Sequence, residues 1–132
     1  MARLYPPNIS GTLPSFYGNE LIIPYSMNKI VKSSEVAGFA LRVKSAATET
    51  FLFEVIGPTD IPVTFSEHEI IFTLGGTQLS KMFVGEYYKV QIAYVEAGSN
   101  AIGYYSTVGI VKYTGRPLAT IANFVEDAPN AA

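Results

Sequence analysis

From Tyr88 to Tyr94 the chain alternates. Tyr88, Val90, Ile92 and Tyr94 fall on one side, Lys89 and Gln91 on the other. A helix would scatter those four apolar residues around its axis, whereas an extended strand puts them all on one face. The period of two therefore predicts a half-buried strand. Just before it, Met82-Phe83-Val84-Gly85 supplies an apolar residue and then a glycine able to make a corner. The rest of the chain is read around this strand.

Similar stretches occur on both sides. In residues 38–45, Phe39, Leu41 and Val43 face one way, Arg42 and Lys44 the other. In residues 50–55, Phe51, Phe53 and Val55 share a face. Residues 21–27 are apolar and β-branched, but Pro24 demotes them to an edge or bulged strand. Residues 61–65 form a short edge-like strand, and residues 69–74 another that stops at Gly75-Gly76. Gly75-Gly76-Thr77 reads as a hairpin-like turn and Ser33-Ser34-Glu35 as a connection. Residues 102–114 return as one long strand starting near Tyr104, with Val108, Ile110 and Lys112 in one register and Val111 and Tyr113 in the other. About seven strands, turn signals roughly every 8–12 residues and no sustained helical period argue an all-β fold. The expected form is an immunoglobulin-like antiparallel β-sandwich.

The chain has 132 residues, which suits one domain. Hydrophobic residues make up 48% and charged residues only 15%. So little charge is unusual for a free monomer and implies that neighbouring subunits cover part of the surface. The net charge is −2 with no charged block, which argues against nucleic acid as a partner. The lack of cysteine excludes a disulfide framework, a thiolate metal site and a cysteine nucleophile. No apolar run approaches the ~18 residues of a membrane helix, so no membrane partner is expected. The first residues lack the apolar core of a secretion signal.

The expected division is an arm at 1–19, a sandwich at 20–114, and a linker or the start of a further domain at 115–132. Pro6, Pro7 and Pro14 keep the arm from forming a helix, yet it carries Leu4, Tyr5, Ile9, Leu13, Phe16 and Tyr17. An apolar arm that cannot fold alone must dock. Its dock is either its own domain, as a first edge strand, or a neighbouring subunit. The expected assembly residues are Leu4, Tyr5, Phe16 and Tyr17 in the arm, with Leu118, Ile121 and Phe124 in the tail. Nine Tyr and eight Phe exceed what about seven inward strand faces need, so some rings should point outward. Tyr5, Tyr17, Tyr25, Tyr87, Tyr105 and Tyr113 are the candidates, for contact with subunits or for stacking on sugars.

No catalytic constellation is visible. His68 is the only histidine and sits between Glu67 and Glu69. On a strand its side chain would point away from both, so a metal set does not converge there. Glu54, Asp60, Glu67 and Glu69 offer carboxylates, but nothing in the pattern pairs them for glycoside hydrolysis. Gly75-Gly76-Thr77 lacks the lysine and following helix of a phosphate cradle. Asn8-Ile9-Ser10 has the form of a glycosylation acceptor without a secretory context. A non-enzymatic role without cofactor or metal is the expectation.

Met82, Gly85 and Tyr88 resemble a feature of fibronectin type III domains: an apolar residue, then Pro-Gly, then a tyrosine three residues after the glycine. Val84 stands where proline is usual. The resemblance implies a structural corner, with the Tyr88 ring in the core and its hydroxyl hydrogen-bonded to upstream backbone. It covers roughly residues 20–114. Those domains also carry a core tryptophan; this chain has none, and Phe39 or Phe51 would fill the volume. Four segments further resemble structural proteins of tailed bacteriophages: residues 5–17, 23–29, 88–94 and 104–114. That resemblance implies a virion component, assembled in the host cytoplasm, in a tail, baseplate or adsorption apparatus. Its implied partners are copies of itself and other virion proteins. The alternatives are a head or neck fibre attachment domain, or a carbohydrate-binding module whose partner is a host glycan.

Overall fold

The computed structural model describes residues 4–11, 14–27 and 29–115. The strands are β1 (Asn8–Ile9), β2 (Ser15–Tyr17), β3 (Glu20–Ser26), β4 (Val36–Ser45), β5 (Phe51–Gly57), β6 (Val63–Phe65), β7 (Glu69–Thr73), β8 (Tyr87–Glu96) and β9 (Ser106–Lys112). The fold is all-β, in two antiparallel sheets. One runs β1-β3-β7-β6, with β2 also on β3; the other runs β5-β4-β8-β9.

The alternating strand is β8, and it lies between β4 and β9. Tyr88, Val90, Ile92 and Tyr94 are all buried. They share one cluster with Phe39, Leu41 and Val43 of β4 and with Leu21, Ile23, Ile70 and Phe72 of the other sheet. Each such fully buried side chain contributes roughly 1.5–3 kcal/mol, so this cluster outweighs any surface pair. Phe39 has ring neighbours in Tyr25, Phe65 and Tyr94, with centroids 5.6, 4.9 and 5.4 Å away. Of the two phenylalanines expected to fill the tryptophan volume, Phe39 is the buried one.

Phe51 does not share a face with Phe53. The register slips between Val43 and Lys44, so that Lys44 faces Phe51 while Val43 faces Phe53. The extra residue, Leu52, packs on the core and Phe51 is left exposed. A bulge reverses the side on which the next residue emerges.

Pro24 does not place β3 at an edge, since β3 lies between β7 and the pair β1, β2. Ile9 faces Tyr25 and Ser15 faces Ile22, so the partner changes opposite Pro24. The Pro24 carbonyl accepts the Ser10 N–H at 3.3 Å, and the missing proline donor falls where β1 has ended. Gly75-Gly76-Thr77 opens not a hairpin but a one-turn helix, α1 (Gly76–Leu79). The Gln78 side-chain oxygen accepts the Gly75 N–H at 2.8 Å, and Leu79 is buried.

The long strand expected over 102–114 is shorter. Ile102 makes an isolated bridge to Val95, and β9 begins at Ser106. Val95 faces Ile102 but Ile92 faces Ser106, so one residue more lies on the returning side. That slack lets Tyr105 cross the outer face of the sheet, where Ala40 and Ala93 are fully buried beside it. The Arg42 guanidinium lies 4.0 Å from the centre of the Tyr105 ring and 3.1 Å from the Glu54 carboxylate. The Tyr105 hydroxyl donates to the same carboxylate.

Candidate assembly surface

The described residues of the arm, 4–11 and 14–17, run along their own domain. β1 and β2 hydrogen-bond to β3 of the first sheet, while the start of the arm reaches the second. The Tyr104 N–H donates to the Leu4 carbonyl at 3.1 Å, and Ser106 Oγ to the Pro7 carbonyl at 2.7 Å. Gly103 permits this crossing: a Cβ there would stand 2.9 Å from the Leu4 carbonyl oxygen. Leu4 and Phe16 pack on the core, and the Phe16 ring centre is 5.0 Å from that of Tyr113. Of the two docks weighed for the arm, these contacts describe the first, an edge strand of its own domain. Tyr5 remains outside, 54% exposed. Tyr17 belongs to β2, with its side chain outside the description. Leu118, Ile121 and Phe124 lie outside the described residues.

Met82, Gly85 and Tyr88 come together. Met82 and the Tyr88 ring are buried in the core, and the Tyr88 hydroxyl accepts the Phe83 N–H at 2.6 Å. Gly85 has φ +92°, a conformation that disfavours any side chain. Its N–H donates to the Tyr113 carbonyl at 2.7 Å, and the Tyr113 N–H returns to the Glu86 carbonyl at 3.0 Å. The turn is thereby tied to the exit of β9.

This rigid turn holds apolar side chains out in solvent. Phe83 is 70% exposed and Val84 68%. Beside them opens a groove of about 310 Å³, lined by Leu52, Thr50, Tyr88, Lys81 and Glu86 as well as Phe83. Exposed Tyr87 and Phe51 belong to strand ends nearby in the same sheet. Phe83 and Val84 were not among the expected assembly residues. Their signal was the run of three apolar residues ahead of a corner glycine, which cannot all face one core.

The tyrosines divide. Tyr5 and Tyr87 are exposed, and Tyr105 is half-covered. Tyr25 and Tyr113, expected outside, are only 2% and 7% exposed. Tyr25 alternates inward with Leu21 and Ile23, and its hydroxyl donates to the Ser66 carbonyl at 2.8 Å. Burial, then the nearby Tyr94 and Glu67, push the Tyr25 hydroxyl above its ordinary pKa. Tyr113 alternates inward with Val111 and meets Phe16.

Two of the four candidate carboxylates, Asp60 and Glu54, serve local structure. Asp60 accepts the Ile56 N–H at 2.8 Å within a turn, and Glu54 holds Arg42 and Tyr105. His68 is exposed in the β6–β7 turn, its N–H on Ser66 Oγ at 3.1 Å. Among the described residues no three His, Cys, Asp or Glu side chains gather as a metal set would. No described helix is long and apolar enough to cross a membrane. In comparison with known proteins, the chain matches no family model and no curated protein.

Proposed function

We propose that the chain is a non-enzymatic structural module of a tailed-phage virion that works by subunit contact. The observation that carries this reading is the apolar surface held outward on a fixed turn, Phe83 and Val84, in a chain with only 15% charged residues. Such a surface is costly in water and becomes favourable when covered, at roughly 25 cal/mol per Å². The resemblance of residues 5–17, 23–29, 88–94 and 104–114 to tailed-phage structural proteins supplies the virion.

The immunoglobulin-like sandwich belongs to the same proposal. With β1 and β2 taken as strand A, β3 as B and so on to β9 as G, the sheet orders are A-B-E-D and C′-C-F-G. This order supports an immunoglobulin-like arrangement with one added strand. The Tyr88 corner supports the fibronectin type III variant, although its hydroxyl accepts rather than donates.

The test is mass spectrometry of purified particles from the host that makes this chain. It should be present in multiple copies per particle; a chain abundant in the lysate but missing from particles would sink the proposal. A second reading, glycan binding, draws on Tyr5 beside an open groove lined by Asn8, Ser106 and Thr107. Polysaccharide binding by a monomer, with no incorporation into particles, would favour it.

A further inference from the structure

Phe83 lies among groups of opposite charge. Lys81 and Glu86 both line its groove, both are exposed, and neither enters an ion pair among the described residues. Phe83 thus projects beside a groove whose wall includes Leu52 and Tyr88 and whose rim carries one cation and one anion. A surface that holds both a projection and a recess, with both signs of charge, can complement itself under a two-fold rotation. An isologous contact centred there would set each copy's Phe83 against the other's groove and each Lys81 against the other's Glu86.

We propose that this end of the molecule binds a second copy of the chain through an isologous contact centred on Phe83, with reciprocal Lys81–Glu86 pairing. The inference rests on the assembly reading above and names one of its contacts. The turn is already fixed before association by the Tyr88 hydroxyl on the Phe83 N–H and by the Gly85–Tyr113 hydrogen bond. Little ordering entropy therefore remains to oppose the contact. Phe83 is the expected anchor, since a buried aromatic at the centre of an interface carries most of its energy. The charged pair sets orientation and excludes unlike partners.

Sedimentation velocity of the full chain, from micromolar to millimolar concentration, tests this. The wild-type chain should show a monomer–dimer equilibrium. Phe83→Asp should abolish it without altering circular dichroism or melting temperature, because the side chain lies mostly in solvent. Lys81→Glu alone should weaken association roughly tenfold or more by setting like charges opposite one another. Lys81→Glu combined with Glu86→Lys should restore it. A contact with a different protein would not be rescued in that way. A monomer throughout, a dimer indifferent to Phe83→Asp, or a double variant no better than Lys81→Glu would each overturn the inference. Particle incorporation is a separate readout: a monomeric chain still found in particles would remove the self-contact and leave the virion reading standing.

Discussion

Replacing Tyr88 by Phe removes one oxygen and little else. The ring is buried and would keep its packing. The lost contact is the 2.6 Å hydrogen bond from the Phe83 N–H. A typical hydrogen bond contributes about 0.5–1.5 kcal/mol net, and a buried donor left unpaired costs about 1–3 kcal/mol. The groove decides between them: Tyr88 and Phe83 both line it, so water can reach the freed N–H. The lower range then applies, about 1 kcal/mol. For a chain of 132 residues that corresponds to a fall of roughly 3–5 °C in melting temperature. Equilibrium urea unfolding is the assay, with the midpoint falling and the slope unchanged. Tyr87→Phe, on the exposed side of the same strand, is the control and should stay within about 0.5 kcal/mol of wild type. If Tyr88→Phe also stays within about 0.5 kcal/mol, the corner hydrogen bond does not stabilise the fold.

Other perturbations test the remaining contacts. Gly103→Ala should press a methyl group against the Leu4 carbonyl, so limited proteolysis should cut the arm near Leu4 sooner than in wild type; an unchanged cleavage rate would count against the crossing. Burial first, then the hydrogen bond to Glu54, hold the Tyr105 hydroxyl above its ordinary pKa. Stability from Tyr105 should therefore be complete below the unfolded value of about 10 and decline as pH rises beyond it. In an ultraviolet titration Tyr105 and Tyr25 should ionise late, and Tyr105→Phe should remove one late step. The hydrogen bond from Lys89 is the main reason Glu49 sits below the ordinary carboxylate range. That pair should help at neutral pH and stop helping as pH falls through the lowered value. Carbon-detected NMR should show the Glu49 titration moving up in Lys89→Met, and no movement would dismiss the pair.

Much of the core was legible because its signal is local. In β4 and β8 the side-chain period of two puts Phe39, Leu41, Val43, Tyr88, Val90, Ile92 and Tyr94 on the buried face, as their alternation with charged and polar residues requires. The corner was legible for a similar reason: Met82, Gly85 and Tyr88 lie within seven residues, and a turn fixes their geometry. The outward-facing rings were less so. Tyr25 and Tyr113 follow the same alternation as their neighbours, but a surplus of aromatic residues cannot say which of them meet a partner. Phe51 was misplaced by a one-residue slip that involves a second strand and leaves no mark on the first.

The order of residues is enough to specify that the chain forms β-strands, where the principal ones run, and which face of each central strand is apolar. Those properties follow from neighbours along the chain. Tertiary structure alone decided that Pro24 could occupy an interior strand, because its missing donor matters only where a partner offers an acceptor. It also decided that Ala40 and Ala93 are buried on the outer face, since Tyr105 reaches them only after the chain has folded back. It set the arm against Gly103 and left Phe83 and Val84 in solvent. Each depends on which segment arrives from far along the chain, and a pattern of period two carries no record of that.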